Sequence, residues 1–556
     1  MSFAAACAIP ETLDQLPNSG SSMSENRRMT RAAGVIGAAT FLSRIFGFVR
    51  DMVIAWFFGA GMAADAFFVA FRLPNLLRRL FAEGALSIAF VPVFTEVVEK
   101  EGRAAAADMA RSAMRLLSLI LVGVSAAGVL AAPVLVWIIA PGFADDPEKF
   151  AVTVRLTRIM FPYILLVGLV ALAMGILNPL GHFAAPALAP VFLNLAMIGA
   201  VFFISPYMED PVTGLAVGVI IGGGLQLLLQ LPFLMKKGVV FWHRARLFHP
   251  ALKKVALLMG PMVFGAAVYQ INQLVGTLLA SLLPEGSVSY LYYADRLVQF
   301  PLGIFGIALA TAVLPSLSRQ AAAKDMAALK ETFGYALRLV FFITLPAMVG
   351  LIVLREPIVA LLFGRGAFDV NTVRLTAYAL LFYAAGLWAF SAVRIVVAIF
   401  YALQDTKTPV KIACIAVAAN IVLGIVLMQF LAHGGLALAT SLASVVNLAM
   451  LLWSIRRRLG LLGMRRVVRS VAVSAVCSAL MGAGVWLISF YFVPPAGGRM
   501  LDLLVGLAAA IFAGIGIYAL LHLVFRSPEI FGVWEMCKGN KDKIRISRSE
   551  IRNRFE

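Results

Sequence analysis

The sequence predicts an all-α, polytopic membrane protein with about fourteen transmembrane helices. Three observations lead to this fold class: the composition, a series of long apolar stretches and an internal repeat. Of the 556 residues, 62% are hydrophobic and only 13% are charged, and the mean hydropathy is +0.93. A water-soluble chain of this length would carry far more polar surface, so the composition excludes a soluble globular protein.

Each crossing of a bilayer by an α-helix requires about 20 predominantly apolar residues. Several apolar stretches in this chain exceed thirty residues, so their helices should tilt, kink or extend beyond the bilayer. The predicted spans are 34–58, 64–97, 107–140, 152–178, 184–205, 211–235, 252–283, 287–318, 328–354, 370–403, 408–431, 433–456, 467–493 and 499–525.

An internal repeat divides the first twelve spans into two six-helix halves. The pattern Ala-Leu-x-x-Ala-x-x-Pro occurs at 85–92 and again at 308–315, and Leu and Pro six residues apart recur at 180–186 and 403–409 with the same offset. The string Thr-Val-Arg-Leu-Thr recurs at a slightly shorter offset. An even number of spans per half makes the repeats parallel, related by an axis along the membrane normal. The last two helices are an addition.

Lysine and arginine are concentrated in alternate connections, whereas intervening connections such as 145–148 are acidic or nearly neutral. The positive-inside rule then places both termini in the cytoplasm. The net charge of +19 mostly reflects this bias together with attraction to anionic lipid headgroups, and nucleic-acid binding by the basic tail is a weaker alternative. The predicted organisation is a disordered tail (1–30), an N-terminal lobe (31–238), a C-terminal lobe (239–458), two added helices (459–525) and a basic cytoplasmic tail (526–556).

Charged side chains interrupt the first two spans and the eighth. They are Arg44, Arg50, Asp51, Asp65, Arg72, Arg78, Arg79 and Glu83, with Asp295 and Arg296 in the second half. A charge at the bilayer centre costs about 2.5–3.5 kcal/mol on insertion scales, so such residues usually line a cavity or pathway. Arginine suits a phosphate or diphosphate, because its planar fork forms bidentate hydrogen bonds. The pattern predicts that an anionic substrate is handled within the membrane.

Structural ion pairing is the alternative role for these charges. Arg78 and Arg79 could reach the interface or pair with Glu83, and Arg355 fits a structural role better than a functional one. For Arg44, Arg50 and Arg296 a functional role is favoured. The histidines and the four cysteines show no metal or redox spacing, so no disulfide framework and no cofactor are expected.

Several linked segments carry a family resemblance. They are SRIFGFVRD at 43–51, FGAG at 58–61, DAF at 65–67, LPNLLRRLFAEGA at 73–85, and YYADRL at 292–297 followed by Phe300-Pro301. From about Gly34 to Phe525 the chain resembles the MurJ (MviN) lipid II flippases of the multidrug/oligosaccharidyl-lipid/polysaccharide exporter superfamily. The resemblance implies that superfamily's fold, with a lateral gate and a lipid-tail groove formed by the two added helices.

The same resemblance implies roles for individual residues. Arginines at the positions of Arg44, Arg50, Arg78 and Arg296 serve a cationic cavity, and Asp65, Asn75 and Ser289 occupy functionally sensitive positions. With Asp51, Arg79 and Asp295 these residues form the candidate substrate-binding set. This sequence departs from the family's pattern in two respects. Position 299 is Gln where some members have Glu, and the seventh and eleventh spans lack the acidic residues of a sodium site, although Asn420 and Thr440 could contribute. The sequence therefore does not decide whether transport is coupled to sodium or to another ion.

The implied function is movement of lipid II, an undecaprenyl-diphosphate-linked disaccharide-pentapeptide, from the inner to the outer leaflet by alternating access. Export of another polyprenyl-linked oligosaccharide or of drugs is the alternative. A membrane glycosyltransferase or polymerase is the enzymatic rival, but it would carry acidic catalytic residues in a large external loop, and the external loops here are short. The expected protein is a monomer in the bacterial inner membrane. Its expected partners are lipid II, membrane lipids and, as a further candidate, the cell-wall synthesis machinery.

Overall fold

The computed structural model describes residues 19–79, 86–239, 247–460, 463–494 and 498–530, and side chains within 19–33, at Ser87 and Ile88, and within 261–269 are not described. All regular secondary structure in these ranges is helical. The helices are α1 Ser19–Phe58, α2 Met62–Leu77, α3 Leu86–Leu130, α4 Ala132–Ile139, α5 Pro147–Met160, α6 Tyr163–Leu177, α7 Ala184–Phe203, α8 Pro211–Lys236, α9 Pro250–Ser281, α10 Ser287–Pro301, α11 Ala308–Ala322, α12 Met326–Val353, α13 Arg355–Phe363, α14 Val370–Ala385, α15 Leu387–Ala402, α16 Lys407–Leu459, α17 Met464–Phe492 and α18 Met500–Val524.

The helices confirm the predicted fold class. Ten helical segments among the described residues are long and apolar enough to cross a membrane. One of them, α16, contains 53 residues and would be about 80 Å long if straight, which is far more than one crossing requires. Its backbone is non-helical at Ala432 (φ 47°), between the predicted spans 408–431 and 433–456. Helices α1 and α9 lie in two of the three remaining predicted spans, and the described residues of the third, 64–97, are divided between α2 and the beginning of α3.

Local sequence signals explain where several of these helices begin. The Asp146 carboxylate accepts hydrogen bonds from the backbone amides of Glu148 and Lys149, and Pro147 supplies the first turn of α5. Asp369 caps α14 in the same way, accepting from the amide of Thr372 at 2.8 Å. Such caps satisfy amides that have no partner inside the helix. They fix where α5 and α14 begin, each after a short connection.

The order of elements repeats along the chain, as the sequence repeat predicts. The short helix α4 follows α3 after one residue, and the short helix α13 follows α12 in the same way. The pair α5–α6 is interrupted at 161–162, and the pair α14–α15 is interrupted at Gly386. Helices α17 and α18 come after the second copy. The repeat therefore extends to the breaks within the helices as well as to their number.

The chain divides into two compact units by packing. Among the described residues, the first unit contains those up to Ser289 together with 365–368, and the second contains 290–364 and those from Asp369 onward. This division differs from the predicted lobe boundary at 238/239, because α9 packs with α3 in the first unit. Helix α1 begins at Ser19, so the structure describes 19–30 as helical where a disordered tail was predicted. Residues 1–18 and 531–556 lie outside the described ranges.

Each unit has its own apolar core. In the first unit α7 packs against α8 and α1, α2 packs against α5, and the rings of Phe90 and Phe94 lie in a core between α3 and α6. In the second unit α15 packs against α11, α12 and α16, around Phe333 and Phe400. The added helices α17 and α18 pack against each other, and α17 packs along α12.

A buried polar cluster fixes the end of the added helices in the second unit. The Glu529 carboxylate accepts hydrogen bonds from the hydroxyls of Ser470 (2.8 Å) and Ser527 (2.6 Å), and it lies 3.2 Å from Nε of Arg338. Burial by itself raises the pKa of Glu529, but the Ser527 and Ser470 hydrogen bonds and the Arg338 charge outweigh it and leave the pKa below its usual value. The cluster connects the chain after α18 to α12 and α17.

Replacing Glu529 with glutamine is expected to lower the midpoint of thermal unfolding at neutral pH, because the partly buried Arg338 loses its counter-charge. Since the folded-state pKa lies below the unfolded one, this stabilisation is complete above about pH 4.3 and disappears as the pH falls through the folded-state value. Thermal unfolding of the purified protein across pH measures both effects. Glu331→Gln is the control at an exposed position of α12; an equal shift for the two variants would contradict the prediction.

Candidate functional site

Helix α1 carries a buried charged pair where it packs against α7. Arg50 donates from Nε (3.0 Å) and Nη2 (2.7 Å) to Oδ1 of Asp51, and from Nη1 to Oδ1 of Asn194 on α7 (3.0 Å). The Asn194 amide in turn donates to the carbonyl of Ser43 at 3.2 Å. Arg50 and Asp51 are 9% and 2% exposed, whereas Arg44, about one and two-thirds turns earlier, is exposed. The pair therefore positions a guanidinium inside the first unit.

Asp65, near the start of α2, is the acceptor of a dense buried network. Its Oδ1 accepts from the backbone amide (2.9 Å) and the hydroxyl (2.7 Å) of Ser289. Its Oδ2 accepts from the amide of Gly286 (2.8 Å) and from Nζ of Lys149 (2.9 Å). Asp65 is 1% exposed and Ser289 is fully buried. This Asp65 network holds the beginning of α10 against α2 and α5.

Lys149 is the counter-ion in this network, and the sequence did not identify it. It lies in the first turn of α5, where the Asp146 cap fixes the backbone, and its Nζ also lies 4.1 Å from the centre of the Phe143 ring. Only 6% of Lys149 is exposed. An almost fully buried lysine requires a carboxylate partner. In the sequence Lys149 falls just before a predicted span, beside Asp145, Asp146 and Glu148, and nothing there distinguishes it from an ordinary loop lysine.

Three further arginines lie on α2 or just after its end. Arg72 donates to the Thr277 hydroxyl (3.0 Å) and to the Gln273 side chain (3.3 Å) on α9. Arg78 donates from Nε (3.1 Å) and Nη2 (2.9 Å) to the Asn75 side-chain oxygen. Arg79 is partly buried. Residues 80–85 of the predicted motif, including Glu83, lie outside the described part of the chain.

Asp295 and Arg296 lie on α10 in the second unit. Arg296 donates from Nη2 to the Tyr292 hydroxyl at 2.8 Å, and its guanidinium carbon lies 4.8 Å from the centre of the Tyr292 ring. The ring face attracts the cation, so Tyr292 orients this guanidinium as well as hydrogen-bonding to it. Gln299, the residue that departs from the family pattern, donates to Asp295 one turn away.

The structure brings together three pairs of the predicted residues: Arg50 with Asp51, Asp65 with Ser289, and Asn75 with Arg78. Asn194 and Lys149 are side-chain partners that the sequence did not single out. Both are distant in sequence from the residues they contact, and single-sequence spacing does not reveal such pairs. In the described residues no group of three or more His, Cys, Asp or Glu side chains could hold a metal ion.

Replacing Lys149 with methionine is expected to destabilise the protein, because the chain length is kept while the Asp65 carboxylate loses its buried counter-ion. Breaking a buried pair in this way typically costs about 3–5 kcal/mol. The midpoint of thermal unfolding and the folded amount in membranes measure the effect. Adding Asp65→Asn should recover much of the loss, and Lys237→Met, at an exposed position, should have little effect. A Lys149→Met protein as stable as the Lys237→Met control would contradict this role.

Comparison with known proteins identifies the family. A family model described as lipid II flippase MurJ matches residues 54–505. The chain is 41% identical over 473 residues to the probable lipid II flippase MurJ of Vibrio cholerae, covering 83% of this chain and 89% of that one. It is 39% identical over 432 residues to the lipid II flippase MurJ of Burkholderia cenocepacia, covering 77% and 84%.

Solved structures agree with this assignment. The structure described as lipid II flippase MurJ in an inward closed conformation has a TM-score of 0.74 and 28% identity, covering 88% of this chain and 98% of that one. An inward-facing multidrug resistance MATE family transporter of the MOP superfamily has a TM-score of 0.63 over 78% of this chain and 99% of its own. Its identity of 16% supports a shared fold only. The fold, the sequence matches and the family model together show that the chain belongs to the MurJ family of lipid II flippases.

Proposed function

We propose that this chain moves lipid II from the cytoplasmic to the periplasmic leaflet of the bacterial inner membrane. The observation that carries the proposal is the family match over 54–505, reinforced by relatives named lipid II flippases that are about 40% identical over most of their length. The likeness to drug exporters is confined to the fold. Drug export is therefore not proposed.

The geometry supports an anionic headgroup as the cargo. Arg50 is held inside an apolar helix bundle by Asp51 and Asn194, and Arg78 is held by Asn75. In this proposal Arg44, Arg50, Arg78 and Arg296 bind the diphosphate, and Asp51, Arg79 and Asp295 tune the charge around it. Preorganised guanidinium groups favour a diphosphate, because bidentate, charge-assisted hydrogen bonds form without reorganising the site. The polyprenyl tail stays in the lipid phase throughout.

The Asp65 network joins the beginnings of three helices. If both termini are cytoplasmic, α1 ends on the periplasmic side, and the beginnings of α2, α5 and α10 lie there as well. Asp65 joins these three helices through Lys149, Gly286 and Ser289. We place the release of the headgroup at this end, after the network opens. Alternating opening of the two ends then carries the headgroup across.

Transport on this scheme breaks no covalent bond and requires no cofactor, so the chain acts as a transporter and not as an enzyme. A monomer contains every residue that the scheme uses, and lipid II and the surrounding lipids are its partners. The cell-wall synthesis machinery is the expected source and consumer of the substrate. Either the membrane potential or an ion gradient can drive the cycle.

Depletion of the protein, followed by measurement of lipid II in each leaflet, tests this function. Depletion should cause lipid II to accumulate in the cytoplasmic leaflet, and re-expression of the wild-type chain should restore outward movement. Purified protein in vesicles should move labelled lipid II without help from other proteins. Depletion that left outward movement intact would exclude the proposed function.

A further inference from the structure

The connection between α13 and α14 contains a segment that belongs to the first unit. Residues 365–368 belong to the first unit, although the chain on both sides of them, ending at Gly364 and resuming at Asp369, belongs to the second. We call residues 365–368 the strap. Helix α13 ends at Phe363 and α14 begins at Val370, so the strap has almost no spare chain on either side.

The strap lies directly on the end of α1. The backbone amide of Ala367 donates to the carbonyl of Trp56 at 2.9 Å. Gly366 has a φ of +58°, and a Cβ atom there would lie 2.3 Å from the Trp56 carbonyl oxygen. Gly59 has a φ of +63°, and a Cβ atom there would lie 2.5 Å from the Ala367 carbonyl oxygen. The two backbones therefore approach as closely as they do because both positions are glycine.

A buried ring adds to this backbone contact. Phe368, the last residue of the strap, is 2% exposed. The next residue, Asp369, caps α14 through the amide of Thr372. The strap thus has a fixed attachment to the end of α1 on one side and a fixed helix start on the other. Because the flanks are so short, a movement of α13 or α14 is passed directly to the contact between the strap and α1.

We propose that the strap is a releasable latch on the outer end of α1, attached while that end is closed and detached when it opens. The inference rests on the proposed function, since it assigns the latch to the opening step of the transport cycle. Helix α1 also carries Arg44 and Arg50, so detachment frees the end of a helix that bears substrate-binding groups. Retaining the strap on α1 should therefore stop the cycle after substrate loading.

A reversible cross-link tests the latch. Standard bond lengths and the 2.9 Å hydrogen bond limit the distance between the Cα atoms of Trp56 and Ala367 to about 6.8 Å, which a disulfide can span. Trp56→Cys and Ala367→Cys are combined in a chain whose four native cysteines are replaced by serine. Lipid II movement is then measured in vesicles before and after oxidation. The oxidised protein should transport lipid II more than tenfold more slowly than the reduced protein, and reduction should restore the activity.

Each single-cysteine variant is the matched control and should be insensitive to oxidation. Full transport by the cross-linked protein would overturn the latch while leaving the flippase function intact. If the wild-type chain itself moved no lipid II in the same vesicles, the proposed function would fail instead. The two failures are therefore distinguishable.

A second measurement does not depend on the cross-link. Phe368→Cys places a thiol at a buried position of the strap, and Ser391→Cys places one in α15, where the native side chain is fully buried. A membrane-impermeant thiol reagent added from the outer side should label position 368 faster when lipid II is being transported than when it is absent. Position 391 should stay protected in both conditions. A Phe368→Cys protein that transports lipid II with no increase in labelling would overturn the latch.

Discussion

Replacing Arg50 with alanine is expected to reduce lipid II transport by more than tenfold and also to lower the amount of folded protein. Transport falls because one of the guanidinium groups proposed to bind the diphosphate is lost, and hydrogen bonds to charged groups contribute about 1.5–3 kcal/mol each. The folded amount falls because Asp51, which is 2% exposed, loses the guanidinium that donates to it twice. Leaving a buried carboxylate uncompensated costs about 3–5 kcal/mol.

A double variant separates these two effects of Arg50. In Arg50→Ala/Asp51→Asn the buried charge is removed together with its partner, so membrane abundance should recover while transport should not. Arg355→Ala is the control, because its guanidinium donates to the carbonyl of Ile352 within the same chain segment and should have a mild effect on both. Complementation of a depleted strain and immunodetection in membranes supply the two measurements. Recovery of full transport in the double variant would show that Arg50 has only a structural role.

The sequence by itself predicts normal abundance for Arg50→Ala, since a cavity arginine supports little packing. The structure changes that expectation, because Asp51 is buried against Arg50 and Asn194 joins Arg50 to α7. Nothing in the spacing of residues on α1 points to a residue on α7. Spacing along one helix identifies which residues share a face, whereas the partner on another helix is set by tertiary packing.

The fold class was predictable because it depends on quantities that a single sequence contains. Span length follows from bilayer thickness, and the break at Ala432 falls between two stretches that are each long enough to cross. Packing was less predictable. The sequence repeat assigns α9 to the second half, but its contacts with α3 place it in the first unit. A repeat records the order of elements, whereas the units follow from which side chains touch.

The Asp65 network shows the same limit at the level of a site. Asp65 was selected from the charge pattern and the family resemblance, and Ser289 from the resemblance alone, and the two prove to be in direct contact. Lys149 was not selected, because a lysine in an acidic connection is usually exposed and only its burial reveals its role. The strap was not predicted either, since the FGAG segment containing Gly59 gives no sign that this residue meets Ala367 more than 300 residues later.

Replacing Arg296 with alanine is expected to abolish transport, and replacing it with lysine is expected to leave partial activity. Lysine keeps the positive charge but loses the planar pair of donors that fits a diphosphate. It also loses the flat cation that lies 4.8 Å from the Tyr292 ring and donates to the Tyr292 hydroxyl at 2.8 Å. The loss of one charge-assisted hydrogen bond corresponds to roughly a tenfold or larger decrease in activity.

Three roles for Arg296 give three different results in one experiment that measures complementation and membrane abundance together. If Arg296 binds the diphosphate through paired hydrogen bonds, lysine gives partial activity, alanine gives essentially none, and both proteins are present at normal abundance. If it only supplies positive potential to a cavity, lysine gives nearly full activity. If it neutralises a nearby carboxylate such as Asp295, alanine lowers the folded amount, because a charge inside the membrane is left uncompensated.

Tyr292→Phe removes the hydroxyl but keeps the ring, and it should reduce transport less than Arg296→Lys, since the guanidinium and its fork remain. For Arg296 we expect partial activity with lysine, essentially none with alanine, and normal abundance of both proteins. Nearly full activity of the lysine variant would exclude bidentate binding.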